Sequence, residues 1–211
     1  MTSTYFTREI ESHNGQTLEI YQATIGDVGH VVWDAAIALC KFFDTKYFAS
    51  NFSLAGKRII ELGAGTGVVG LAAALHGAQA TITDLPALME LMQKNIDHNA
   101  SVLKASATAK CLAWGTDVSD VDTPDMILFA DCIYYEESLE PLVKTLRDLS
   151  TPETVILMSF EERTSEKKIH LQNCFFKLID ACFVIEEIPM KYHDDVYRSE
   201  DIHILKFTKK K

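Results

Sequence analysis

Residues 61–67 read Glu61-Leu62-Gly63-Ala64-Gly65-Thr66-Gly67, and a second carboxylate, Asp84, closes the apolar run at 80–83. Glycine takes positive φ cheaply and lets a ligand approach the backbone, so this spacing describes a turn built for contact. An acid before the first glycine repels a pyrophosphate and suits a cation. Asp84 stands where the hydroxyls of a ribose held in that turn need an acceptor. A third carboxylate, Asp131, directly follows the apolar run at 125–130, with Tyr134 three residues on. Burying an unpaired carboxylate is costly. Asp131 is therefore either a rim group that meets a ligand or the N-terminal cap of the helix that follows.

The elements around these residues follow from apolar periodicity. Arg58–Leu62 reads as a short buried strand, Val68–Leu75 as an apolar helix stopped by Gly77, and 80–83 as a second strand. Strand, glycine turn, helix, strand and acid make the first half of a nucleotide-binding α/β sheet. Dinucleotide sites favour a third glycine where this chain has Val68. Together with Glu61, that departure disfavours a nicotinamide-dependent oxidoreductase on the same sheet. S-adenosylmethionine, with a sulfonium, an ammonium and no phosphate, meets the condition that Glu61 sets. Upstream, the spacing predicts a helix over 31–43 with Trp33 at its entrance, either a core anchor or a wall of the ligand pocket.

Downstream, Pro86 opens a helix that runs to about residue 99. A strand over 107–112 leads to Trp114, which either packs against an adenine face or caps the surface. The strand at 125–130 is followed by a helix over 138–149. A strand over 154–160 then precedes the charged Glu161-Glu162-Arg163 and a helix over 166–181. Strands over 183–188 and 201–207 suit an antiparallel end of the sheet. Ahead of everything, Asn14-Gly15 lies between two alternating segments over 5–22, a short hairpin signal that places a two-stranded ribbon outside the main sheet.

Composition bounds the class. With 211 residues, 47% of them hydrophobic, the chain has material for one well-buried α/β domain. A net charge of -10 argues against a nucleic-acid backbone as partner. Five scattered cysteines without a C-x-x-C pair read as reduced thiols, neither a disulfide framework nor a metal site. No apolar run approaches the ~20 residues of a membrane span, and residues 1–10 lack a signal-peptide core. A soluble, cytoplasmic monomer is the expectation.

Several stretches carry a specific resemblance: Val32-Trp33-Asp34-Ala35-Ala36, the glycine turn from Glu61 to Gly67, Thr83-Asp84-Leu85, Trp114-Gly115, and Ala130-Asp131-Cys132-Ile133-Tyr134 with its D-x-x-Y motif. The chain resembles the seven-β-strand S-adenosylmethionine-dependent methyltransferases, and within them the small lysine methyltransferases grouped as methyltransferase family sixteen. The resemblance runs over nearly the whole chain and is weakest before residue 28, over 45–57 and over 165–180. The stretch over 131–142 and the Tyr-Arg-Ser-Glu-Asp-Ile-His-Ile stretch over 197–204 are similar to family members that act on valosin-containing protein, a hexameric AAA ATPase chaperone.

The resemblance implies an α/β fold: a seven-stranded Rossmann-like sheet with helices on both faces, an antiparallel last strand and an N-terminal β-hairpin. With no repeat, low-complexity segment or linker in the sequence, a single methyltransferase domain is expected over 1–211, with 1–28 a hairpin extension and 29–211 the catalytic core. Trp33, Gly63, Ala64, Gly65, Asp84, Trp114 and Ala130 would contact S-adenosylmethionine, beside the Glu61 already assigned to it. Asp131 and Tyr134 would line the lysine entry. The activity implied is protein-lysine N-methylation, with valosin-containing protein as partner. Alternatives are a family member acting on another chaperone, or a cofactor-binding adaptor without catalysis. The chemistry agrees with the leading reading. A lysine ammonium has no lone pair and an ordinary pKa of ~10.4, so it must lose a proton before attack, to Asp131 or to water.

Overall fold

Strands and helices alternate through most of the chain, and the computed structural model, which describes residues 5–24, 26 and 28–211, sorts them into two sheets. The smaller is a hairpin of β1 (Tyr5–Glu11) and β2 (Thr17–Ala23), paired antiparallel with Glu11 opposite Thr17. Asn14-Gly15 lies in its loop, as the sequence reading expects of a hairpin signal. Ser12 donates its N–H to the Gln16 carbonyl at 2.8 Å, and Gly15 donates to Ser12 at 2.9 Å. Gly15 takes φ 82°, so the glycine closes a three-residue loop as a left-handed bulge residue. Residues 1–4, 25 and 27 of the expected N-terminal extension lie outside the described residues, as does part of the stretch read for a signal peptide.

The larger sheet contains β3 (Arg58–Leu62), β4 (Gln79–Asp84), β5 (Ala107–Cys111), β6 (Met126–Ala130), β7 (Val155–Glu161), β8 (Phe183–Glu187) and β9 (Ile202–Lys209). Their spatial order is β5-β4-β3-β6-β7-β9-β8. All run parallel except β9, which pairs antiparallel with both β7 and β8. The helices are α1 (Asp34–Phe42), α2 (Lys46–Asn51), α3 (Val68–Leu75), α4 (Met89–Asn99), α5 (Leu139–Leu149) and α6 (Glu166–Cys182). Helix α2, whose first turn Thr45 caps by accepting the Phe48 N–H at 3.1 Å, has no counterpart in the sequence reading. No helix of the described residues is long and apolar enough to cross a membrane.

Two cores sandwich the sheet, because a central parallel strand buries both of its faces. On one face Ile59, Ile82, Leu128 and Leu157 pack with side chains of α1, α3 and α4. On the other, Ile60, Leu62, Ile127, Phe129 and Met158 meet Leu142 and Leu146 of α5 and Leu171 and Phe175 of α6. Strand order reverses between β3 and β6, whose carboxyl ends therefore open a crevice, the place where open α/β sheets bind ligands.

The hairpin is bolted to this frame by amides. Asn95, fully buried on α4, accepts the Tyr21 N–H at 2.7 Å and donates to the Tyr21 carbonyl at 3.0 Å and the Thr66 carbonyl at 2.9 Å. One turn on, Asn99 repeats the pairing with Glu19, accepting at 2.9 Å and donating at 3.0 Å. Gln22 accepts the Val32 N–H at 2.8 Å. Buried Lys41 donates to the Glu11 carbonyl and lies 4.5 Å from the Tyr197 ring centre.

Candidate functional site

A cavity of about 750 Å³ opens at the strand-order reversal, lined by the carboxyl ends of β3, β4, β6 and β7. Its size falls in the range of ~300–1,000 Å³ usual for small-molecule sites. Every residue the sequence reading assigned to the site lines it: Trp33, Glu61, Gly63, Ala64, Gly65, Asp84, Trp114, Ala130, Asp131 and Tyr134.

The glycine turn forms the floor. Gly63 and Gly65 take φ 60° and 55°, which L side chains rarely adopt. Space demands glycine as well. A Cβ on Gly65 would lie 2.6 Å from the Gly29 carbonyl oxygen, and one on Gly63 would lie 2.6 Å from the Trp114 ring. Trp114 therefore packs on the turn, with its ring centre 6.4 Å from that of Tyr134, and serves as a wall rather than a surface cap. Trp33, at the N-cap of α1, is 39% exposed and donates its indole N–H to the Val28 carbonyl at 2.8 Å. Its partly open ring makes it a wall of the cavity and excludes the core-anchor reading.

The carboxylates do more than the sequence reading gave them. Glu61 is only 2% exposed, and its Oε2 accepts the Gly70 N–H at 2.7 Å, in the first turn of α3. Burial pushes its pKa up to about 8, against the pull of the Gly70 and Val69 N–H groups. Asp84 accepts the Gly65 N–H on Oδ2 at 2.7 Å and the Leu85 N–H on Oδ1 at 2.6 Å. Each oxygen keeps a second lone pair for a ligand hydroxyl. Replacing Asp84 by alanine would thus also release the turn, which a ribose-acceptor role alone does not include. Burial raises the Asp84 pKa, although the Gly65 and Leu85 N–H groups and His30 oppose it.

Asp131 adopts φ 52°, and among the described residues it is the one non-glycine with positive φ. Strain of this kind clusters at functional sites. The carboxylate caps no helix: the next helical turn starts at Glu136, and Ser138 occupies the N-cap of α5. Instead Oδ1 accepts the Glu161 N–H at 2.9 Å from the end of β7, while buried Oδ2 receives no hydrogen bond from the described residues. Burial raises the Asp131 pKa, the Glu161 N–H and the Arg163 guanidinium lower it, and Asp34 raises it again.

Two residues escaped the sequence reading. Arg163 grips Glu161 with both terminal nitrogens at 2.8 Å, approaches Asp131 Oδ2 to 3.5 Å, and lies 5.7 Å from the Trp33 ring centre. The signal was present, since Glu161 and Arg163 follow a buried strand just as Asp131 does. Only the sheet pairing of β6 with β7 brings the three together.

This donor set fits S-adenosylmethionine. Two acids at the glycine turn suit a cation, no lysine or arginine stands at that turn for a phosphate, and aromatic walls flank the space. In sequence, the family model for lysine methyltransferases matches residues 12–180. Protein N-lysine methyltransferase METTL21A of Xenopus tropicalis is 37% identical over 182 residues, covering 85% of this chain and 77% of that protein. EEF1A lysine methyltransferase 3 of Mus musculus is 36% identical over 176 residues, covering 82% and 68%. Among solved structures, the Thermus thermophilus 16S rRNA N2 G1207 methyltransferase bound to AdoMet and guanosine superposes with a TM-score of 0.64. That match covers 99% of this chain and 51% of the other at 16% identity, a likeness of fold alone.

Proposed function

The chain belongs to the lysine methyltransferase family and is an S-adenosylmethionine-dependent protein-lysine methyltransferase, and from that premise we propose that its substrate is a lysine of valosin-containing protein. The observation that carries the catalytic reading is the buried Asp131 Oδ2, left without a hydrogen bond beside the glycine turn. The similarity of residues 131–142 and 197–204 to family members acting on that chaperone supports the substrate. A second reading has its own support, since a 36% identical relative is named for EEF1A. We also propose that residues 1–211 work as one catalytic domain.

In this reading Trp33, Glu61, Gly63, Ala64, Gly65, Asp84, Trp114 and Ala130 hold the cofactor, which supplies a methyl carbon activated by its sulfonium. Trp114 and Trp33 exclude water from the two sides. Asp84 offers its remaining lone pairs to the ribose while fixing the Gly65 amide. Asp131 Oδ2 receives the incoming lysine head, and Tyr134 shapes the entry. The protein mainly has to position the amine in line and let it shed a proton, since orientation alone supplies much of such a rate.

The test is transfer of labelled methyl from S-adenosylmethionine to valosin-containing protein and to EEF1A, side by side, by wild type and Asp131→Asn. Asparagine tolerates positive φ and keeps the Oδ1 bond to Glu161. We expect labelling of valosin-containing protein that falls by roughly 10²-fold or more in the variant, with cofactor affinity nearly unchanged. Labelling of EEF1A alone would replace the first substrate by the second. Full activity in Asp131→Asn would remove Asp131 from the mechanism.

A further inference from the structure

We propose that Arg163 is a positioning residue that offsets the Asp131 carboxylate, so that the site accepts a lysine side chain without locking it as the unreactive ammonium. The inference rests on the lysine methyltransferase reading of this cavity. Asp131 and Glu161 are joined through the Glu161 N–H at 2.9 Å, and Arg163 bridges their side chains, at 2.8 Å to Glu161 and 3.5 Å to Asp131. Its guanidinium faces the Trp33 ring as well. The two carboxylates and one guanidinium leave one negative charge for a single cationic guest. A carboxylate pair alone would carry two.

The difference matters because attraction cuts both ways. Each negative charge near the amine binds the ammonium more tightly and raises the cost of removing its proton. Binding energy spent on the ammonium is ground-state binding, which lowers KM and leaves kcat worse. Asp34 from α1, which Arg8 of β1 approaches to 3.5 Å, and Asp201 before β9 add further negative field at this edge, while Lys168 of α6 opposes it. Arg163 is the cation placed between the carboxylates themselves, and arginine stays charged at any pH the protein survives. It is 37% exposed at its side chain, so it lies at the mouth, where a guest must pass.

The experiment compares wild type, Arg163→Gln and Arg163→Lys in two measurements. The first is binding of n-butylammonium, a mimic of the lysine head, to the full chain loaded with S-adenosylhomocysteine. Arg163→Gln should bind it about tenfold more tightly, and Arg163→Lys should return toward wild type. The second is single-turnover methylation of whichever protein wild type labels, followed against pH. In Arg163→Gln the pH at half-maximal rate should rise by about one unit, the same tenfold expressed as proton affinity. A variant that had merely lost its shape would bind more weakly with an unmoved pH profile. Equal or weaker n-butylammonium binding by Arg163→Gln, or no binding to it, overturns the proposal. If neither protein is labelled by wild type, the substrate assignment fails and the butylammonium comparison still decides the role of Arg163.

Discussion

Glu61 sits ionisable in a place that favours its neutral form, and the cofactor is a cation. With a folded pKa of about 8 against an ordinary 4.5, the native state holds a proton there that the unfolded chain releases. Stability from this group is therefore complete below about pH 4.5 and is lost as pH rises toward 8. A sulfonium arriving in the cavity reverses the preference, so binding near neutral pH should expel a proton. Calorimetry in buffers of different ionisation enthalpy should find that proton in wild type and miss it in Glu61→Gln, with weaker binding in the variant. Equal proton release by both proteins would place the coupling elsewhere. That Glu61, Asp84 and Asp131 share one cavity was legible in the sequence, because each closes or follows an apolar strand. Arg163 follows an apolar strand too, but its place beside Asp131 depends on which strand lies beside which.

At the scale of elements, the helix α4 joins the hairpin to the glycine turn through one side chain. Asn95 satisfies both backbone groups of Tyr21 and the carbonyl of Thr66 in the middle of the glycine sequence. Asn95→Ala would remove the partner of three backbone groups, the buried Thr66 carbonyl and the half-buried N–H and carbonyl of Tyr21, at roughly 1–3 kcal/mol for each that stays unsatisfied. We expect a clear loss of thermal stability together with weaker S-adenosylmethionine binding. Asn99→Ala, which releases the hairpin at Glu19 but touches no residue of the turn, should lower stability while sparing affinity. Equal affinity losses in both variants would deny the link. The strands and long helices followed from apolar periodicity, as the Ile59 and Ile60 division of β3 between two cores illustrates. Helix α2 did not, since six residues with a single buried side chain, Phe48, leave no period to detect. The Asn14-Gly15 signal located the hairpin and left its loop length open, because glycine's left-handed freedom serves a bulge as well as a tight turn.

For the whole molecule, the order of strands in space sets the order in which the sheet can be finished. Strand β9 is the last element in sequence among the described residues, yet it lies between β7 and β8 and supplies the partners of both. Until it arrives, β8 has no neighbour in the sheet, and the edge of β7 is bare. Phe207 and Ile204 are missing from the two cores at that stage. Chains stopped before residue 202 should therefore be cut rapidly by protease, whereas chains carrying all of β9 resist. Resistance in the shorter chains would show the parallel strands closing on their own. On this ordering, a message interrupted before the codons of β9 should yield chains that neither fold nor bind cofactor, and so cannot methylate by mistake.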